Sequence, residues 1–187
     1  MANQNAPSGF QVYGSITATD MNAKVIKCAV RAADATALFA GDAVKLDTTQ
    51  DNVLGLTNVA ALAADGPVYG VVVGIEVDGA DINSPYRKAS TARTLLVNID
   101  PNTVYVAQID ASVALADLNK NASWATGAGN TATGVSGHRL TTPAVTATLG
   151  WKLLGLVQDL NNAPVGAYNK VLCKINNSQL TNQTLGV

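Results

Sequence analysis

Charged residues make up 13% of this 187-residue chain and aromatic residues 5%, against roughly 25% charged in an ordinary soluble domain. A soluble monomer uses charge to stay apart from its neighbours, so a weakly charged, Ala- and Thr-rich surface is one expected to face protein. The formal net charge of −1 and the pI near 5.6 offer no attraction to a phosphate backbone, which excludes a direct nucleic-acid partner. No apolar run approaches the ~20 residues that span a bilayer, and the first residues lack a basic region followed by an apolar stretch. The expectation is synthesis in a cytosol with no membrane partner.

The residues that carry chemistry are equally sparse. His138 is the only histidine, and Cys28 and Cys173 are far apart, each inside an alternating apolar run where a small reduced thiol suits a core. One His, two distant Cys and scattered Asp do not form a metal-ligand set, and Asp78 with Asp81 lacks the other carboxylates of a calcium loop. Gly127-Ala128-Gly129 misses the dinucleotide fingerprint because Ala132 stands at the next required glycine, and no phosphate-loop Gly-Lys-Ser/Thr occurs. Ser136 and His138 lie close in sequence, but no Gly-x-Ser-x-Gly elbow surrounds them. The expectation is a non-enzyme with no cofactor and no metal.

What the chain does have is two neutral, polar ends. Residues 1–14 (MANQNAPSGFQVYG) and 176–187 (NNSQLTNQTLGV) are rich in Asn, Gln, Ser, Thr and Gly, with few apolar side chains. Too little apolar area is present to offset the entropy of ordering them alone, so they read as arms that order against a neighbour. Phe10 and Tyr13 are the expected contact residues of the first arm, Leu180 and Leu185 of the second. The chain then divides into an N-terminal arm at 1–20, a single β domain at 21–175 and a C-terminal tail at 176–187.

Within that domain the pattern is β almost throughout. Residues 23–30 (AKVIKCAV), 41–47 (GDAVKLD), 52–57 (NVLGLT), 67–77 (PVYGVVVGIEV), 93–98, 103–109, 151–158 and 171–175 read as strands, with Asp-Gly pairs punctuating the third and fourth turns. Residues 32–38 and 112–118 are the two modest helix candidates. Short strands with turns between them predict an all-β fold, a small antiparallel sandwich or barrel, with jelly-roll and β-tulip-like versions both open. Gly recurs between apolar residues at Leu54-Gly55-Leu56, Val73-Gly74-Ile75 and Leu154-Gly155-Leu156, read as three barrel corners. No fixed period supports a repeat architecture. The small-residue stretch 122–137 reads as a long exposed loop, and its lone Trp124 either caps the core or plugs a partner's pocket.

The opening MANQNAPSGFQVYG, LFAGDAVKL at 38–46, YGVVVG at 69–74, GVSGHRL at 134–140, LLGLV at 153–157 and VLCKIN at 171–176 together resemble the head-decoration, or cement, proteins of tailed bacteriophages. The likeness runs over most of the chain and rests on the order of these segments. Gln11-Val12 follows Phe10 where many relatives carry a basic residue and a proline. The resemblance implies a structural virion protein on the capsid exterior, assembled in the host bacterial cytoplasm. Its partners would be the major capsid protein, whose neighbouring subunits it cements around packaged DNA, and its own copies, as a homotrimer or homodimer at a local symmetry axis. A virion-surface module that recognises a host glycan or receptor through the loop near Trp124, and a tail or connector component, are the alternatives.

Overall fold

The computed structural model describes residues 3–16, 24–63, 66–79, 81–159, 162–163 and 166–181. The fold is all-β. Eleven strands are assigned among those residues: β1 (Gln11–Ser15), β2 (Val25–Val30), β3 (Ala43–Leu46), β4 (Thr57–Ala61), β5 (Gly70–Ile75), β6 (Arg93–Asn98), β7 (Thr103–Ile109), β8 (Asn121–Ala125), β9 (Arg139–Ala144), β10 (Trp151–Leu156) and β11 (Asn169–Ile175). Their β-branched and alternating sequences explain why they are strands, and the 3-10 turn Leu115–Asp117 is what remains of the second helix candidate. Residues 32–38 form turns and bridges instead of helix. An Ala-rich segment with no apolar stripe has no face to bury, so helix propensity alone does not decide it.

The strands form two rings. β2, β4, β3, β5 and β6 close a barrel in that order, and a second sheet runs β1-β7-β11-β10-β8-β9 with β9 joined back to β7. That last link is the parallel bridge between Ile109 and Leu140. Within the span expected as a single β domain, 21–175, the strands thus form two barrels, β2–β6 and β7–β11, with β1 laid along β7.

The two rings share one topology. In each, the first strand pairs in parallel with the third (β2 with β4, β7 with β9) and antiparallel with the fifth (β2 with β6, β7 with β11). In each, the second strand pairs antiparallel with the third and fourth, and the fourth with the fifth. The registers match as well. Gly70 faces Val44 as Trp151 faces Ala122, and Cys28 faces Leu95 as Ala107 faces Val171. Each fourth strand carries a bulge at the same place, between Val72 and Gly74 in β5 and between Leu153 and Gly155 in β10.

The likeness extends into the connections. A bridge joins Leu38 to Arg87 in the first barrel and Val113 to Gly166 in the second. Just after it, the Asp42 carboxylate accepts the Phe39 amide at 2.8 Å and the Asp117 carboxylate accepts the Ala114 amide at 2.9 Å. Asn52 and Asn130 each close a turn that ends in a left-handed glycine, Gly55 (φ +71°) and Gly134 (φ +72°). The chain is thus an internal duplication, contrary to the expectation of no repeat.

Two apolar cores hold the lobes. One lies inside the first barrel around Val30, Leu38, Val59, Val72, Leu95 and Val97. The larger fills the second barrel around Tyr105, Ile109, Trp124, Leu140, Trp151 and Leu153, and also takes in Phe10, Ala43, Leu62, Val68 and Val71 from outside it. Those five side chains weld the two lobes together.

Of the three expected glycine corners, Gly74 and Gly155 are bulges, but Gly55 lies in a turn and β4 begins only at Thr57. The stretch 122–137 is corrected in part. Residues 122–125 belong to β8, Gly134 and Ser136 to His138 are buried, and only the tip around 130–133 is exposed throughout. Close backbone packing explains the glycines there: a Cβ on Gly129 would stand 2.4 Å from the Phe39 ring, and one on Gly127 would stand 2.1 Å from the Gly137 carbonyl oxygen.

Candidate contact surface and the Asp42–His138 pair

The described part of the N-terminal segment is tied to its own chain. Asn3 bonds the Ala167 carbonyl and the Ala163 amide, the Ala6 amide donates to Gln108 Oε1 at 2.7 Å, and the Gly9 and Phe10 amides donate to the His138 and Gly41 carbonyls. Gly9 sits at φ +70° with no room for a side chain, since a Cβ would meet Ser136 Cβ at 2.5 Å. This turn drives Phe10 inward. Its ring is 1% exposed, stacks on Trp151 with centroids 3.7 Å apart and meets Trp124 edge-on at 6.1 Å.

The contact role expected of Phe10 is corrected accordingly: its ring is the keystone of an aromatic cluster between the lobes and has no face left for a partner. Of the two readings of Trp124, the structure has the core one, and its contact role goes with that of Phe10. Trp124 is 1% exposed, and its indole lies 4.7 Å from the His138 ring. An arm ending at residue 20 is likewise too long, because residues 11–15 are a sheet strand. Tyr13 and Leu180 do project outward, 54% and 46% exposed, while Leu185 lies outside the described residues.

The strongest outward apolar features sit elsewhere. Val53 is 97% exposed and Leu54 76%, at the tip of the turn closed by Asn52. Val145, Val77, Ile82 and Leu115 are also largely exposed, each in a connection between strands. Reading residues 52–57 as a strand concealed the first pair, although Asn-Val-Leu-Gly is as good a turn as a strand, with Asn bonding its own backbone and Gly taking positive φ.

Between the lobes lies an arrangement of two buried titratable side chains. Asp42 and His138 are both buried, with His138 Nε2 3.4 Å from Asp42 Oδ1. The Ala43 amide donates to His138 Nδ1 at 3.4 Å, which leaves the proton of a neutral ring on Nε2, facing the carboxylate. Burial raises the Asp42 carboxyl to about 6, against the opposing effect of hydrogen bonds from the Ser136 hydroxyl and the Phe39 amide. Burial also lowers His138 to about 4, with Arg139 adding to the effect. At neutral pH the pair is an ionised Asp beside a neutral His.

Ser136 does not complete a nucleophile arrangement with them. Its Oγ accepts the His138 backbone amide at 2.9 Å, and its hydroxyl serves the Asp42 carboxyl instead of the imidazole. A triad needs the base to face the nucleophile and the acid to face the base. Beside the pair opens a cavity of about 470 Å³, walled by Leu38, Phe39, Leu62 and the 126–129 segment. Cys28 and Cys173 are both buried and unpaired, with burial pushing the Cys28 thiol up to about 11 and the Cys173 thiol higher still. Among the described residues no group of three or more His, Cys, Asp or Glu is placed to hold a metal.

In comparisons with known proteins, no family model and no curated protein matches this chain.

Proposed function

We propose that this protein is a structural virion component, binding the outside of a tailed-phage capsid and cementing neighbouring major capsid subunits. The observation that carries the reading is the placement of large apolar side chains on connections of a stiff, sparsely charged scaffold, with Val145 86% and Val77 75% exposed. Water-facing apolar side chains at rigid tips are suited to being covered by protein. Two welded barrels resist deformation, and many copies on a shell turn modest single contacts into strong attachment by multivalency. Tyr13 and Leu180 remain contact residues in this scheme, now as projections from an ordered body. Phe10 serves from within by fixing the strand that bears Tyr13.

Burial of Trp124 removes the aromatic platform that the glycan-recognition alternative would use. The test is cosedimentation of the purified protein with expanded, DNA-free heads of the phage that encodes it. Saturable pelleting that weakens when Tyr13 and Val145 are changed to Asp supports the reading. Failure to pellet with heads, or pelleting unaffected by both changes, overturns it.

A further inference from the structure

The duplication exposes a docking contact that is made once inside the chain and left unmade once. In the second lobe, the Asn130 turn packs on the first: Ala40 donates its amide to the Gly134 carbonyl, and its own carbonyl accepts the Ser136 amide, each at 2.9 Å. Val135 and Ala40 form a parallel bridge there. Gly134 presses so closely on this face that a Cβ would stand 2.3 Å from the Pro85 carbonyl oxygen.

The matching donor in the first lobe is the Asn52 turn, whose tip at Val53, Leu54 and Gly55 is exposed. A Cβ on Gly55, the counterpart of Gly134, would meet no atom within 4 Å, and the neighbouring Val53 and Leu54 are 97% and 76% exposed. The matching acceptor in the second lobe is also open. Bridge and cap align Leu38 with Val113, Phe39 with Ala114 and Asp42 with Asp117, so the counterpart of Ala40 is Leu115. Leu115 is 66% exposed and makes no backbone bridge among the described residues; its carbonyl takes a long 3.3 Å bond from the Leu118 amide of its own 3-10 turn, where Ala40 makes two bonds of 2.9 Å to the other lobe.

We infer that the turn at residues 52–56 of one copy docks on Ala114 and Leu115 of a second copy, repeating between chains the lobe-to-lobe contact already made within each. The occupant is a second copy because the surface that receives such a turn is a lobe's own connection, and each chain has one such connection covered and one bare. The contact is head-to-tail: donor and acceptor are different patches, so copies add in one rotational sense, and the assembly we propose is the ring form of such a contact, with lobes alternating around the axis. The inference stands on the lobe equivalence and is independent of what the assembly binds.

The experiment is sedimentation velocity and light scattering on the full chain, with Leu54→Asp and Leu115→Asp made separately. Both sites are exposed, and circular dichroism checks that each variant is folded. The wild type is expected to be a closed oligomer and each variant a monomer. Mixing the two variants leaves one intact donor and one intact acceptor, so they should pair as a one-to-one heterodimer and go no further. Leu54→Cys mixed with Leu115→Cys should form an intermolecular disulfide, while neither forms one alone. A monomeric wild type, an oligomer that survives either Asp change, or a variant mixture that stays monomeric overturns the proposal.

Discussion

The Asp42–His138 pair predicts an unusual response to pH that appears only when the pair is broken. Asp42 has its folded value raised from 3.8 to about 6, so its contribution to stability is fully present below pH ~4 and is lost as pH rises through about 6. His138 has its folded value lowered from 6.5 to about 4, so its contribution is present above pH 6.5 and is lost as pH falls through about 4. Each shift of somewhat over two pH units corresponds to about 3 kcal/mol. Across pH 4 to 6 the two trends oppose. The folded pair holds one proton, on Asp42, and the unfolded pair also holds one, on His138, so the difference in bound protons that sets the slope is close to zero.

Breaking the pair uncovers each half. Asp42→Asn leaves His138, and stability relative to wild type should fall by about 3 kcal/mol between pH 6.5 and pH 4. His138→Gln leaves Asp42, and stability relative to wild type should rise by a similar amount over the same interval. Urea unfolding followed by tryptophan fluorescence reads both, because Trp124 and Trp151 are buried and Trp124 lies against His138. Comparison at each pH with wild type cancels the other titrating groups. A relative slope of the opposite sign in either variant would refute the reasoning. Parallel profiles for all three proteins would equally refute the reasoning.

Other consequences can be measured on the same protein. Phe10→Ala empties the centre of the aromatic cluster and should cost ~3–5 kcal/mol in urea unfolding, and removing residues 1–14 should destabilise the fold because it removes Phe10 and most of β1. Arg87 is fully buried, donating to the carbonyls of Thr91, Arg31, Asp34 and Thr36. Arg87→Met removes a donor from each of those carbonyls and the counter-charge from Asp34, and should cost ~3–5 kcal/mol, visible as a lower urea midpoint. Cys28 and Cys173, buried with raised thiol values, should resist a thiol reagent in the native state and react together once the chain unfolds in urea.

Strand content was legible because alternation and β-branching are local. Residues 93–98 and 103–109 read as strands and are β6 and β7 to the residue. Strands β8 and β9 were hidden because Asn-Ala-Ser-Trp-Ala and Arg-Leu-Thr-Thr-Pro-Ala carry small or polar residues at positions that alternation would make apolar. Their buried side chains, Ala122, Trp124 and Leu140, pack in the core of the second barrel against strands distant in sequence, which no local pattern reports. The same holds for Phe10 and Trp124. A lone aromatic in a polar context looks like a free anchor until Gly9 turns it inward and Trp151, 141 positions later in the chain, supplies the stacking face.

The duplication was harder to see because what the lobes share is hydrogen-bonding geometry, and residue identity survives only where geometry demands it. Asp42 and Asp117 persist as acceptors for an amide three residues back, and Gly55 and Gly134 persist at positive φ. Gly74 and Gly155 persist at a bulge where the strand must bend. Between these points the spacing differs: Ala43 follows Asp42 directly, whereas Leu118, Asn119 and Lys120 intervene before Asn121, its counterpart in the second lobe. Such insertions abolish any fixed period while leaving the pairing order untouched. They also fall in the connections, which lets the two lobes specialise. One lobe's turn was recruited to hold the pair together, as the burial of Gly134 against Pro85 records, and the other's was left facing outward with Val53 and Leu54 at its tip. Two bare apolar side chains gain nothing from solvent, and their place on an Asn-closed, pre-ordered backbone is what the proposed contact between copies requires.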